Sequence, residues 1–366
     1  MVTSPPSLLT QIKACLLEGL DAFQASGGVG ADAYWQELTV HPMAEAKMLD
    51  TAVLLHKSNI VTQGWLAKFA RGSLARLSDT AQAIGPAENT AAVWGLNFPW
   101  PAHEATAQEP FLITSACICG ALARLKAVGV NTTRLSERAA DGLDYWCREE
   151  TAELHGLPVP VYGLNVYRVP VLNTILASFA ALQAANRPVS VCDAFLEHAW
   201  GDYHEGIGWD YDPNRPVIDL LHQWYVMRSF AELRGYDGLS ERAMSVMGQL
   251  ATPNGWIDGV HRRGAAFIEN DNLAYIRRNV GAHWLLIYPK PARLWSLGEM
   301  LLGVCELIPK TDGVTRDFWD RQSGILADEV LRRLRATDEL ENTFYRHTSH
   351  ALHGLAAFLA MRRAKP

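Results

Sequence analysis

The stretch Tyr203–Leu233, YHEGIGWDYDPNRPVIDLLHQWYVMRSFAEL, decides how this chain is read. It opens with aromatic and acidic residues set among Gly206, Gly208, Pro213 and Pro216. From Pro216 the pattern predicts a helix, Val217–Leu233, whose first turns carry Asp219, His222 and Gln223 and whose remainder is apolar. A helix that is hydrophobic all round is buried. A polar, aromatic loop feeding the N-terminus of such a helix sets side chains at the mouth of a helical barrel.

The same arrangement recurs in both directions from this stretch. Nearly all-apolar helices are predicted to start near residues 110, 169, 217, 292 and 345. Each alternates with a helix carrying a single apolar stripe: Leu135–Trp146, Val189–Trp200, Ser240–Leu250 and Asp317–Arg335. Earlier helices are expected over Ser7–Phe23, Pro42–Asn59 and Thr62–Ala83. Buried and striped helices alternating at near-constant spacing mark a helical-hairpin repeat. Six hairpins account for residues 1–366, read as a single domain: an inner ring of parallel helices inside an outer ring running the other way. The exception is Thr252–Pro291, whose turn residues and weak periodicity predict an irregular insertion with a short hairpin laid over one end of the barrel. No strand alternation is evident outside it.

Composition removes several classes of function. The net charge of −6 lacks the basic stripe that a phosphate backbone requires. No apolar run approaches the roughly 20 residues of a membrane span. The N-terminus has no basic segment followed by an apolar core, so no signal peptide is expected. Cys15, Cys117, Cys119, Cys147, Cys192 and Cys305 are scattered through apolar helical pattern and read as reduced thiols, which fits a cytoplasmic protein. The histidines of RHTSHALHG share a helical face three residues apart but lack a carboxylate partner, so no metal is expected. Twelve Trp is a high count, and Trp suits both cores and sugar-stacking faces.

At this point the chain resembles the (α/α)6 toroid superfamily, the six-hairpin fold of many glycoside hydrolases, polysaccharide lyases and uronyl epimerases. Beyond the repeat, two local stretches carry the resemblance: LNVYRVPVLNTILASFAAL (164–182) and GWDYDPNRPVIDLLHQWYVMRSFAEL (208–233). They resemble toroids of bacterial surface-polysaccharide pathways, in which an Asn-containing loop precedes one inner helix and a W-x-Y loop with an Asp–His pair precedes the next. Prenyl-handling toroids share the architecture, but the DxDD and DDxxD motifs of terpene cyclases are absent.

In such a ring the loops leading into inner helices gather at one end. That end is expected to collect Trp94, Asn97, Trp100, His103 and Glu104, then Tyr162, Asn165, Tyr167 and Arg168. Tyr203, His204, Glu205, Trp209, Asp210, Asp212, Asp219, His222 and Gln223 follow, then Arg293, Trp295 and Glu299, and finally Tyr345, Arg346, His347 and His350. Aromatics and ionisable groups converging on one cavity make a polar ligand site with stacking faces. Asp219 and His222 stand three apart and share a helical face, a pairing suited to acid–base work; helix capping by Asp219 and a core role for His222 are the structural alternative. Asp210 and Glu104 are candidate further carboxylates, since glycoside hydrolysis needs two about 5–10 Å apart. His350 and His353 fit an apolar helical pattern and read as structural. Glu269, Asp271, Arg277 and Arg278 of the insertion are candidates for a lid or for a salt-bridged surface loop.

The sequence thus predicts a carbohydrate-active enzyme of the toroid class, acting on an oligosaccharide or surface-polysaccharide precursor through Asp219, His222, Asp210 and Glu104. A uronate-directed lyase or epimerase is the enzymatic rival. It would take its base or acid from Tyr162, Tyr203, His222 and His347, and would hold the uronate with Arg168, Arg293 or Arg346. A non-catalytic glycan binder and a terpene-cyclase-like toroid are the others. The reading invokes no cofactor, no nucleic-acid partner and no membrane span, and it leaves a dimer open.

Overall fold

The computed structural model describes residues 6–32, 35–86, 90–100, 104–132, 134–212, 217–235, 237–252, 255–262, 276–280, 283–287, 291–336 and 345–364. Among them run twelve α-helices: α1 (Leu8–Ala25), α2 (Pro42–Lys57), α3 (Gln63–Asp79), α4 (Leu112–Ala127), α5 (Leu135–Glu149), α6 (Leu172–Ala184), α7 (Cys192–Gly201), α8 (Leu220–Arg234), α9 (Leu239–Leu250), α10 (Leu294–Leu307), α11 (Gly313–Arg335) and α12 (Tyr345–Ala364). The even-numbered helices pack side by side in a closed ring, α2–α4–α6–α8–α10–α12 and back to α2. The odd-numbered helices lie outside it. Burial explains the division. Every residue of α2 from Pro42 to Val53 is buried, whereas α5 buries one stripe, including Leu135, Ala139, Leu143 and Trp146. Among the described residues one large hydrophobic cluster links the helices of both rings, and a smaller one, including Met43, Phe111, Tyr225 and Trp295, lies where the inner helices begin.

Short strands join the hairpins: β1 (Val29–Asp32), β2 (Trp35–Val40), β3 (Gln82–Ala83), β4 (Ala92–Val93), β5 (Thr151–Leu154), β6 (Leu157–Pro160), β7 (Val217–Asp219), β8 (Ala251–Thr252), β9 (Gly255–Trp256), β10 (Gly259–Arg262), β11 (Ile276–Val280) and β12 (His283–Ile287). Most pair as two-stranded antiparallel ribbons, and β11–β12–β10–β7 form one four-stranded sheet. Strands therefore occur outside the insertion. Two to six residues in length, they are too brief to leave an alternating signature.

The helix expected from Pro216 begins later. Residues 217–219 are strand β7, and Asp219 is the N-cap of α8, its side chain accepting the His222 backbone N–H. Val217 and Ile218 are β-branched and pair with His261 and Val260 of the insertion, so a partner distant in sequence overrides the local helical pattern. The insertion accordingly extends the strand that leads into α8. Glu269 and Asp271 lie outside the described residues; Arg277 and Arg278 belong to β11. All six cysteines are free thiols. Among the described residues no helix is long and apolar enough to cross a membrane.

Candidate active site

One cavity of about 250 Å³ opens where the inner helices begin. The second residue of each inner helix lines it: Met43, Ile113, Asn173, Leu221, Trp295 and Arg346. Six hairpins of one register thus bring six N-termini to one chamber, and each N-terminus carries partial positive charge. Loop residues Leu96, Trp100, Tyr162 and Tyr211 supply more of the wall.

Asp219, His222 and Arg293 form the charged side of the cavity. Asp219 Oδ1 accepts from His222 Nδ1 at 2.7 Å and from the His222 backbone N–H at 3.1 Å. Asp219 Oδ2 accepts from Arg293 Nη2 at 3.3 Å. Burial works against the Asp219 carboxylate, but His222 and Arg293 outweigh it and hold the carboxyl below its ordinary range. A carboxylate only accepts, so His222 Nδ1 carries a proton toward it and Nε2 is left as the proton-accepting atom of the neutral ring. Tyr211 packs edge-on against the imidazole with ring centroids 4.3 Å apart.

Across the cavity His350 donates from Nδ1 to the Arg346 carbonyl at 2.6 Å, so its Nε2 accepts the Tyr225 hydroxyl at 2.8 Å. Burial, reinforced by the Lys47 ammonium, pushes the His350 pKa down to about 3, which keeps this imidazole neutral. Arg346 grips the fully buried Asp32 of β1, with Nε at 2.8 Å and Nη2 at 3.0 Å from its two oxygens. The Arg293 and Arg346 guanidiniums lie 4.7 and 4.6 Å from the Trp295 ring centre. Two polar atoms on this wall, Asn173 Oδ1 and Trp295 Nε1, are buried with no hydrogen-bond partner among the described residues. Asn173 is only 3% exposed.

Of the residues expected from sequence, Asp219, His222, Trp100, Tyr162, Arg293, Trp295, Arg346 and His350 meet in this cavity. Others hold the fold. Trp94 and Trp209 are fully buried, their indole N–H groups donating to the Leu77 and Ala199 carbonyls at 2.8 Å, so neither offers a stacking face. Gln223 is buried and clamps the Trp209 backbone, accepting its N–H at 2.9 Å and donating to its carbonyl at 2.7 Å. Asn97 adopts a positive φ of 63° and donates to Thr39 and Val40, while Asn165 is bound by Glu109. Tyr167 donates to Asp212 at 2.7 Å, and Arg168 pairs with Glu150 at an exposed edge. Tyr203 packs on Trp209 beneath Arg242, and Tyr345 packs on Phe23. His347 is buried behind Trp295, with ring centroids 4.5 Å apart. Asp210 faces a separate depression, 3.1 Å from His204. Glu104 is exposed on a turn with a φ of 55°, and His103 lies outside the described residues. Met43, Asn173, Tyr211 and Tyr225 line the cavity without having been singled out for it. The signal that would have found most of them is position: the second residue of each inner helix, or the residue four further on. Among the described residues no His, Cys, Asp and Glu cluster could hold a metal ion.

No family model matches the chain, and no curated protein matches it in sequence. Solved structures do match. A sugar epimerase from a ruminal bacterium is 11% identical over 98% of this chain and 100% of its own, with a TM-score of 0.61. The cellobiose 2-epimerase of Bacillus thermoamylovorans is 9% identical over 95% of this chain and 98% of its own, with a TM-score of 0.59. An endoglucanase of glycosyl hydrolase family 8 from Klebsiella pneumoniae is 12% identical over 95% and 100%, with a TM-score of 0.52. These likenesses, with the closed ring of six inner helices, define the chain as an (α/α)6 toroid.

Proposed function

We propose that this protein is a carbohydrate-active enzyme that moves a proton at a sugar carbon, an epimerase or isomerase of a neutral sugar or the terminal unit of an oligosaccharide. The observation that carries this reading is the lining of the cavity, which among the described residues holds two imidazoles, His222 and His350, and one carboxylate, Asp219, already bonded to His222 and Arg293. Hydrolysis needs two free carboxyl groups across a bond. Proton abstraction beside a carbonyl needs a base, an acid and stabilisation of the oxyanion.

His222 serves as base through Nε2, with Asp219 holding its tautomer and balancing the imidazolium that forms. The proton leaves the carbon next to the carbonyl of the open-chain sugar, and its electron pair moves onto the carbonyl oxygen. The converging helix N-termini and the Arg293 guanidinium favour that negative charge. A proton given by the Tyr225 hydroxyl to the opposite face of that carbon completes inversion, and solvent water, taking the proton from His222 and returning one to Tyr225, resets the site. Asn173 Oδ1 and Trp295 Nε1, without a partner among the described residues, suit a hydroxyl-bearing ligand. Arg293 and Arg346 are each paired with carboxylates, which favours a neutral sugar over a uronate.

The test is incubation with neutral aldoses and β-linked disaccharides in deuterated water, followed by NMR. Deuterium entering the carbon next to the reducing carbon, with a new epimer or ketose, is the expected result. Glycosidic cleavage without deuterium uptake would return the reading to a hydrolase, and a new unsaturated uronate from acidic oligosaccharides would make it a lyase.

A further inference from the structure

We propose that Asp258, a residue of the insertion, is the positioning residue of the candidate site: it ties the starts of α8 and α10 together and holds Arg293 against Asp219. This rests on reading the cavity as the active site, and the test below separates the two.

The argument is local. The Asp258 carbonyl accepts the backbone N–H of Leu220, the first residue of α8, at 2.7 Å. Its carboxylate serves the start of α10: Oδ1 accepts the Arg293 backbone N–H at 2.8 Å and the Ser296 hydroxyl at 2.9 Å, and Oδ2 pairs with Arg293 Nε. Arg293 turns its remaining edge, through Nη2, to Asp219. One guanidinium is therefore shared by two carboxylates, one from the insertion and one from the acid–base pair. A guanidinium fork held on one edge has little freedom left on the other, so the grip of Asp258 sets where Nη2 meets Asp219. The next residue reinforces this. Gly259 pairs with Asp219 across the β7–β10 ribbon, and a Cβ at Gly259 would stand 2.8 Å from the Ile218 carbonyl oxygen. The strands thus approach as closely as glycine allows. An insertion that merely covered the barrel end would need none of these bonds to the starts of both helices.

The experiment reads the His222 Nδ1–H···Asp219 bond by proton NMR of the free protein with 15N-labelled histidine, the signal being assigned by its loss in His222→Asn. In Asp258→Asn we expect this signal to broaden or vanish while the fold, by circular dichroism, is retained. Where the sugar reaction is found, kcat should fall up to about a hundredfold with KM little changed, the effect of a misaligned group. Ser296→Ala, which removes only the hydroxyl contact, should keep the signal. If Asp258→Asn does not fold, Arg293→Lys, which keeps a cation but loses the fork, should disturb the signal in the same way. An undisturbed signal in whichever variant folds overturns the proposal. Absence of any sugar reaction would count against the proposed function and leave the NMR result to decide this one.

Discussion

The first two layers of the barrel are built from the same six helices and treat polar groups in opposite ways. The upper layer is the ring of second residues, Met43, Ile113, Asn173, Leu221, Trp295 and Arg346. Four residues on, one helical turn deeper, stand Lys47, Cys117, Ala177, Tyr225, Glu299 and His350. In the deeper layer Lys47 meets Glu299 at 2.9 Å, Arg228 bonds both Glu299 and Glu306, and Tyr225 meets His350 at 2.8 Å. Burial opposes the Glu299 charge, but Lys47 and Arg228 outweigh it and hold the carboxyl far below its ordinary range. In the upper layer Asn173 and Trp295 keep polar atoms without a partner among the described residues. A protein gains nothing in stability from such atoms. The deeper layer is thus the paired floor of the cavity, which Tyr225 and His350 still face, and the upper layer is the wall that keeps polar atoms for a ligand.

The largest effect expected from breaking this division is at the mouth. His222→Asn should lower turnover by about 10²–10⁴-fold, the range of a lost general base, with the unfolding midpoint little changed. Equal loss of stability and activity would make His222 a structural histidine. One turn deeper the signs reverse. Glu299→Gln leaves Lys47 and Arg228 short of a buried counter-charge, and removing one partner of a buried pair costs about 3–5 kcal/mol. Denaturant unfolding should show that loss; a stable variant with altered KM would move the ligand site down into the second layer.

Tryptophans test the same boundary. Trp209→Ala removes a fully buried ring and should cost about 3–5 kcal/mol of stability, while Trp100→Ala, at the cavity wall, should mainly raise KM. Sequence reading could not separate them. Both indoles sit in loops rich in glycine, proline and acidic residues, and a loop indole looks alike whether it turns inward or outward. What was legible was periodic: buried helices alternating with striped ones, and an Asp–His pair at a helix start. What was not legible needed three dimensions. Val217–Asp219 became a strand through pairing with Gly259–His261. Gln223 turned to the backbone of Trp209, and His350 faced the cavity from a helix whose apolar pattern marked it as core.

Acid should unsettle the buried imidazoles of both layers, His347 among them, whose pKa burial and the Arg346 guanidinium push down to about 2. His350 and His353 protonate in the folded protein only near pH 3, against 6.5 for an ordinary imidazole, because burial disfavours their charge. The unfolded chain therefore binds more protons throughout that window, and stability falls as pH drops below 6.5. The slope is on the order of 1.4 kcal/mol per pH unit for each group. The depressed carboxyls of Glu299 and Asp219 add loss at still lower pH, and the raised Glu306 and Asp258 oppose it. Thermal unfolding between pH 7 and pH 5 should show the decline, and His353→Leu should flatten it. A pH-independent midpoint would mean that these imidazoles are hydrated rather than buried.

The smallest and most telling change is at Asn173. Its Oδ1 is buried with no partner among the described residues, and such an atom costs about 1–3 kcal/mol. Asn173→Leu, similar in size, removes that cost, so the free variant should be more stable by about 1 kcal/mol. The same change removes the acceptor that a sugar hydroxyl would fill, so KM should rise about tenfold, the equivalent of one lost hydrogen bond. Gain of stability with loss of binding is the signature of a polar group kept for a ligand. Should Asn173→Leu lose stability instead, the amide has a structural partner in solution. The polar wall at the start of α6 would then belong with the satisfied layer beneath it, and the division between the two rings would lie higher than drawn here.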